Sequence, residues 1–242
     1  RGLILDGLRG KVDAFELLQF CVDNHPLHTE HYYHMLDLGI PLTATAGSDF
    51  PWCGQDHGHG PAERSSRIGN ARFYTFLSGP LTYSNWHRAV GAGHAFVSSG
   101  PMLDLRVTAA GYPPAIPGDR LDVGQGSSLM ITVHAYGHDK QTPLDTLERV
   151  SHGRVIGRVT AHEAGQSARH LSLTLRLPPL RRGQWIAARC TAGPGQAAHT
   201  TPVYVVVEGG GFHNPETAGQ YLDLSERYLQ EIEQVISQPG TT

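Results

Sequence analysis

Residues 128–137, SLMITVHAYG, carry the pattern that decides the fold of the second half of this chain. Apolar and polar side chains alternate along the stretch, and the turn signal Gly-Gln-Gly at 124–126 precedes it. Alternation with a period of two places successive side chains on opposite faces of an extended chain. The stretch therefore predicts a β-strand.

The same alternation recurs between residues 101 and 209, where turn signals such as Gly-Asp and Ser-His-Gly separate the segments and no helix intervenes. The further segments are MLDLRVTA, DTLERVSHGRVIGRVT, HLSLTLRLP, QWIAARCTA and TPVYVVV. Six or seven short strands in a stretch of this length are typical of a small antiparallel β-sandwich. We therefore expect a β-sandwich domain over residues 101–209.

The end of the chain, within residues 210–242, has helical periodicity instead. The apolar positions of this segment are Tyr221, Leu222, Leu224, Tyr228, Leu229, Ile232, Val235 and Ile236. Their spacing predicts a C-terminal amphipathic helix that packs back on the preceding domains.

Residues 1–100 alternate candidate strands with candidate helices. Residues 11–20 have strand composition, a helical segment follows with a capping Thr29 and a stop at Gly39, and residues 40–49 are again strand-like. This strand–helix–strand order is typical of a βαβ unit with parallel strands. The first 100 residues are therefore expected to form α/β structure.

Composition and charge argue against several classes of protein. The 242 residues carry a formal net charge of -3 with no long run of either sign, so binding to nucleic acid or a membrane surface through charge is not expected. No apolar run approaches the ~20 residues of a membrane span. Cys21, Cys53 and Cys190 are too few and too far apart for a disulfide framework or a cysteine-based zinc site, although one pair remains open.

The start of the chain, RGLILDGLRGKVDAFELLQF, has no initiator methionine and no signal peptide. It resembles the interior of a domain. We therefore expect the chain to be a processed, cleaved or truncated piece of a longer protein.

Asp49 is the first candidate for a functional side chain, because it ends the apolar run of LTATAGSDFPWCG at residues 42–54. At the carboxyl end of a parallel strand its carboxylate would face the crevice where α/β proteins place their sites. The alternative is that Asp49 only stabilises the following turn through its own side chain. Position alone leaves both interpretations open.

The histidines, 15 in number, and one glutamate raise the question of metal binding. His31 and His34 lie one helical turn apart and could share an ion, although a solvated or pocket-edge helix face is the simpler interpretation. His57 and His59 form an HxH pair, a weak signal on a glycine-rich loop. Glu16 interrupts an apolar strand, where a carboxylate needs a partner, a metal or a place at the strand's exit.

Other chemistries find little support. Ser48 is not part of a GxSxG elbow, and Cys53 has no identifiable base. The glycine-rich stretch GGGF follows the last strand and does not open a βα unit, so it is not a phosphate loop of that kind.

Four ordered segments carry a resemblance to a known family: LDLGIPLTATAGSDFP, RIGNARFYTF, LTYSNWHRAVGAGHAFVSSGPML and HTTPVYVVVEG. Together they resemble the C-terminal half of CehA/McbA-type metallohydrolases, the carbaryl-hydrolase-like branch of the PHP superfamily. The resemblance implies that residues 1–100 are the last β/α units of a distorted PHP-type barrel, which holds a cluster of divalent metals. A small β-sandwich would follow it.

The resemblance also assigns roles to three residues. Asp49 matches the aspartate of the late GSD motif, a metal ligand in PHP proteins, and Glu16 falls at a pocket-lining position that is a second candidate ligand. Arg72 matches an arginine at the pocket mouth that would orient the substrate. Two features depart from the pattern, because Pro51 stands where a histidine is common and the early metal ligands have no counterpart in this chain.

The implied activity of the intact protein is hydrolysis of an ester, carbamate, amide or phosphoester bond by metal-activated water, with zinc, manganese or iron as cofactor. One aspartate and one glutamate do not hold a metal cluster, so this chain alone is expected to be inactive. The rival hypothesis is a non-catalytic binding module whose β-sandwich recognises a carbohydrate or a protein partner.

A chain that begins inside a barrel would expose a strand edge and an apolar face. The expected partners are therefore the missing N-terminal half of the barrel or a second copy of the chain, together with a small-molecule substrate. Neither nucleic acid nor a membrane is expected as a partner.

Overall fold

The computed structural model describes residues 3–19, 27–48, 69–137, 143–162, 169–193 and 195–237. The elements in chain order are α1 Leu3–Leu8, β1 Ala14–Gln19, α2 Thr29–Asp37, β2 Thr43–Gly47, β3 Arg72–Thr75, α3 Tyr83–Gly91, β4 Ala95–Ser98, β5 Met102–Ala109, β6 Arg120–Val123, β7 Leu129–Tyr136, β8 Leu144–Ser151, β9 Arg154–Thr160, β10 His170–Leu177, β11 Gln184–Ala192, β12 Gln196–Thr200, β13 Val203–Val207 and α4 Ala218–Ile236. Strands hold 42% of the described residues and helices 22%, which makes this mainly a β protein.

Within the described residues, the larger sheet has eight strands and is built around β11. β8 lies antiparallel on β11 and carries β9, while β12 and β13 also pair with β11. β12 continues through β4 to β3, and β13 pairs in parallel with β6.

The smaller sheet has the order β10-β7-β5 and is antiparallel throughout. Its inward side chains meet those of the larger sheet in one core, in which Leu105, Ile131, Val133, Ile186 and Val205 are fully buried. Each such side chain stabilises the fold by about 1.5–3 kcal/mol relative to an exposed one. The predicted β-sandwich is thereby confirmed.

The predicted PHP-type barrel is wrong. Among the described residues of the first part of the chain, only β1 and β2 form a parallel pair, and they make a separate two-stranded sheet. β3 and β4 pair antiparallel with each other, and β4 continues the sandwich sheet through β12. Apolar patterning defines which residues are buried but not which strand lies alongside, so the sequence did not reveal that the buried segment AFVS belongs to the sandwich.

A second core covers the other face of the larger sheet. Helix α2 and the β1–β2 pair place Tyr32 and Leu36 against Trp185, Tyr204 and Val97. Tyr204 extends this packing, because its hydroxyl lies 3.2 Å from the Leu42 carbonyl and accepts a hydrogen bond from the Leu42 N–H at 3.0 Å. The central strands of the larger sheet are therefore buried on both faces.

Asp37, at the end of α2, joins that layer to the sandwich and to the start of α4. Its carboxylate accepts hydrogen bonds from the Trp185 indole at 2.7 Å, the Thr217 hydroxyl at 2.8 Å and the Asn214 amide at 3.0 Å. The His152 Nδ1 atom lies 3.4 Å away. Burial alone would raise the pKa of Asp37, but these hydrogen bonds outweigh it and lower the pKa.

Helix α4 contacts the rest of the molecule through its first half. The Tyr221 ring stacks on the His34 ring with centroids 3.8 Å apart, and Tyr228 packs beside the second core. Farther along, Val235 and Ile236 are 59% and 77% exposed. Within the described ranges, no helix is both long and apolar enough to cross a bilayer.

Candidate ligand-binding face of the small sheet

The outward face of the smaller sheet carries a set of side chains that the strand register places in rows. Alternation buries every second residue of β5 and β7 and turns the others outward. The first row is Met102, Tyr136 and His170, and the second is Asp104, His134 and Ser172. Farther along are Arg106, Thr132 and Thr174, and then Thr108, Met130 and Arg176.

Three rings form a group at one end of this face. The ring centroids of Tyr136 and His170 are 4.9 Å apart with planes inclined by 15°. Those of His134 and His170 are 5.3 Å apart at 16°, and those of His134 and Tyr136 are 6.2 Å apart at 27°. The three rings are therefore nearly parallel, and we call this group the ring cluster.

A hydrogen bond between the two imidazoles holds the ring cluster together. His134 Nδ1 and His170 Nε2 are 3.1 Å apart, so one nitrogen carries a proton that the other accepts. A centroid separation of 5.3 Å with this short contact means that the rings meet edge to edge. Each imidazole thereby limits the rotation of the other.

The ring cluster is open to solvent. Tyr136 is 46% exposed and Met102, beside it in the same row, is 37% exposed. Buried aromatic rings usually contribute to a core, whereas exposed rings on a regular sheet contribute nothing to the core behind them. This location is typical of a surface that meets a ligand or a partner.

Polar side chains border the rings. The Asp104 carboxylate, in the row of His134, accepts a hydrogen bond from the Arg106 guanidinium at 3.1 Å. Thr132 and Thr174 place hydroxyl groups in the next row. The face thus combines an aromatic surface with hydrogen-bonding groups at its margin.

The sequence-predicted site residues lie elsewhere. Glu16 is exposed on β1, and its carboxylate accepts a hydrogen bond from the Gln19 amide at 3.2 Å. It lies beside Gly47 at the end of β2, where an added Cβ would fall 2.9 Å from a Glu16 carboxylate oxygen. Asp49 lies outside the described residues, so its role as a metal ligand, with Glu16, stays a prediction.

Arg72 interacts within its own surroundings on β3. Its Nε donates to the Tyr74 hydroxyl at 2.6 Å, and its guanidinium also contacts the Gly69 carbonyl. The guanidinium carbon lies 5.6 Å from the centre of the Tyr74 ring. These contacts hold Arg72 at the sheet edge, and its predicted role toward a substrate stays a prediction.

The two helical histidines have separate environments. His34 is buried against Tyr221, and this desolvation lowers its pKa, whereas His31 is exposed. The described residues contain no group of three or more histidine, cysteine, aspartate or glutamate side chains placed to hold a metal ion. His57 and His59 lie outside those residues.

Sequence reasoning missed the ring cluster. The segment His134-Ala135-Tyr136 did give a signal, because positions two apart on a strand share a face. The third ring belongs to β10, and its position depends on the register between β10 and β7. That register could not be obtained from either segment alone.

Comparisons with known proteins gave only distant similarities. No family model matches the chain, and no curated protein matches it. Among solved structures, the chain is similar to the fibronectin(III)-like modules of Clostridium thermocellum CbhA. The match has 16% sequence identity, covers 43% of this chain and 96% of that chain, and has a TM-score of 0.27. It is also similar to a CARDB domain from Pyrococcus furiosus, with 16% identity, coverages of 44% and 96%, and a TM-score of 0.29.

A further similarity is to a lytic polysaccharide monooxygenase of Jonesia denitrificans, with 18% identity, 55% of this chain and 76% of that chain covered, and a TM-score of 0.26. None of these similarities assigns the chain to a family.

The predicted metallohydrolase class must be corrected together with the barrel. Its chemistry required the parallel strands of a barrel, whereas the described part of the chain is dominated by a β-sandwich. The resemblance of the four sequence segments, and with it a divalent metal cofactor, stays a prediction.

Proposed function

We propose that this chain is a non-catalytic binding module and that the outward face of its smaller sheet binds a saccharide. The observation that carries the proposal is the ring cluster, in which Tyr136, His134 and His170 present nearly parallel rings beside polar side chains. The face belongs to a sheet whose other side is packed in the sandwich core, so the rings stand on a rigid support.

The chemistry of a sugar ring matches this face. A pyranose presents a flat patch of C–H groups that packs on an aromatic ring, and its hydroxyls must exchange water for other hydrogen-bonding partners. Asp104 lies in the row of His134 and Thr132 in the row next to it, and they supply a carboxylate and a hydroxyl for that purpose. A saccharide would thereby keep its polar groups satisfied on binding.

The shape of the site favours an extended ligand over a buried small molecule. Small molecules are usually enclosed in a cleft that covers most of their surface. Here the rings stand on the open face of a three-stranded sheet, and Thr174 and Arg176 continue the face along β10. A polysaccharide chain lying across the strands would contact several rows at once.

Competing ligands fit less well. Nucleic acid is disfavoured by the net charge of -3, and Arg106 on this face is already paired with Asp104. A protein partner is the second candidate, and the exposed Met102 and Met130 on the same face favour it. The experiment below separates the two.

The test is isothermal titration calorimetry with a panel of soluble polysaccharides, using Tyr136→Ala and a control. We expect one or more polysaccharides to bind and Tyr136→Ala to weaken binding at least tenfold, which corresponds to about 1.4 kcal/mol. Tyr83→Ala is the matched control, because Tyr83 is a 76% exposed tyrosine on α3.

Two results would contradict the proposal. Binding that is equally weakened by Tyr83→Ala would place the ligand elsewhere. An absence of binding across the panel, with a protein partner whose affinity Tyr136→Ala reduces, would replace the saccharide by a protein.

A further inference from the structure

A basic cleft lies at a different place in the fold, where the chain enters β11 and where it leaves β13. It encloses about 350 Å³ and is lined by Arg181, Arg182, Gly183, Gly210, Gly211 and His213, together with two further residues. None of the described residues that line it carries a carboxylate. Two guanidinium groups and one imidazole therefore border one small cavity.

Three other arginines of the sandwich have carboxylate partners. Arg106 pairs with Asp104, Arg120 pairs with Asp122, and Arg189 pairs with Glu148. No such pair joins Arg181 or Arg182 to any described residue. Their positive charge therefore has no counter-charge among the described residues.

Neighbouring carboxylates do not change this balance. Glu208 belongs to the turn after β13 but is not one of the residues that line the cleft. Glu216 lies just beyond the cleft, and its carboxylate accepts a hydrogen bond from Arg154 at 2.8 Å. Adjacent like charges repel each other, so Arg181 and Arg182 favour an anion from solution between them.

Glycines bring main chain to the surface of the cleft. Gly183 packs against the Gly211 carbonyl, and an added Cβ at Gly183 would lie only 2.6 Å from the Val205 carbonyl oxygen. Gly211 has a φ of 81°, a conformation that side chains other than glycine rarely adopt. The lining of the cleft thus includes glycine backbone as well as the two arginines.

We propose that this cleft is an oxyanion-binding site that takes a phosphate or sulfate group. Arginine matches such groups because its planar fork donates two parallel hydrogen bonds to two oxygens of one anion. The site is separate from the ring cluster and does not depend on saccharide binding there. The two sources of the same tetrahedral chemistry, phosphate and sulfate, are distinguished by experiment.

The experiment measures binding of inorganic phosphate and inorganic sulfate by the rise in melting temperature of the full chain, with sodium chloride at the same ionic strength as reference. An anion that binds the folded state stabilises it in proportion to the logarithm of its concentration above Kd. We expect one of the two anions to raise the melting temperature more than chloride does, and the stronger of them identifies the group that the natural ligand carries.

Two variants locate the effect. R181Q/R182Q should weaken the anion's apparent affinity at least tenfold, and Arg181→Gln alone should weaken it less. R9Q/R88Q is the matched control, because it removes the same charge from two exposed arginines. Arg9 lies directly after α1, and Arg88 lies on α3. An equal response to chloride, or an equal loss in R9Q/R88Q, would overturn the proposal.

Discussion

At the scale of single residues, four polar side chains converge on Asp37. The carboxylate is 2% exposed and holds donors from β11, the segment before α4 and α4's N-cap residue. Asp37→Ala leaves those donors buried without an acceptor, so we expect it to lower the free energy of unfolding by at least about 3 kcal/mol in urea melts.

Asp122→Ala is the control for that measurement, because Asp122 is an exposed carboxylate paired with Arg120. It should cost less than about 1 kcal/mol. Because the pKa of Asp37 is lowered in the folded state, its stabilising effect is present above the ordinary carboxyl range and is lost as the pH falls through the folded-state pKa. Equal costs for the two variants would contradict this role of Asp37.

His199 makes the second prediction at this scale. Its Nδ1 faces the Thr200 carbonyl at 2.7 Å and must donate, so its Nε2 accepts the hydrogen bond from the Tyr33 hydroxyl at 2.7 Å. Complete burial lowers the pKa of His199 to about 4. The imidazole is therefore neutral in the folded protein at any pH above that value.

The sign of the pH effect follows from this depressed pKa. The unfolded chain takes up a proton at His199 near pH ~6.5, whereas the folded chain does so only near pH 4, so acid favours the unfolded state between these values. We expect protonation of His199 in the unfolded chain to lower the free energy of unfolding by about 3 kcal/mol between pH 7 and pH 4. In urea melts, the free energy of unfolding of His199→Gln should depend less on pH than that of the wild type. An equal pH dependence of the two proteins would contradict this role of His199.

At the scale of elements, helix α4 is packed along one part of its length and exposed along another. Tyr221 stacks on the buried His34, whereas Val235 and Ile236 project into solvent. Tyr221→Ala should therefore cost about 1–2 kcal/mol through lost ring packing, while V235S/I236S should change stability by less than about 0.5 kcal/mol. Thermal melts of the two variants check this, and a larger cost for V235S/I236S would show that the far end of α4 is also packed.

The elements of the sandwich were predictable because each strand carries its own signal. The alternation in β5 and β7 separates core from solvent residue by residue, and the structure buries the apolar set. The barrel failed for a different reason. β3 and β4 are short, and β4 joins the sandwich by pairing with β12, about 100 residues later in the chain. Local pattern contains no information on such a partner.

The candidate site shows the same limit. Tyr136 and His134 share a face in any strand that spans them, but their meeting with His170 requires the register of the β7–β10 pair. Glu16 was selected as a carboxylate in an apolar strand and Arg72 from a resemblance, and the structure places them away from the ring cluster on β1 and β3. Asp49 lies outside the described residues.

At the scale of the whole molecule, one sheet connects all layers. The larger sheet packs against the smaller sheet on one face and against α2 with the β1–β2 pair on the other. Among the described residues, only the outward face of the smaller sheet leaves a regular array of strand side chains open to solvent beside exposed aromatic rings. We therefore assign ligand binding to that face.

The most direct test of this assignment is a map of backbone amide shifts by nuclear magnetic resonance during titration with a polysaccharide that binds. We predict that the largest changes fall on Tyr136, His134, His170 and Asp104, and that residues of α2 and β11 change little. Changes concentrated on Glu16 and Arg72 instead, with the ring cluster unaffected, would contradict the assignment.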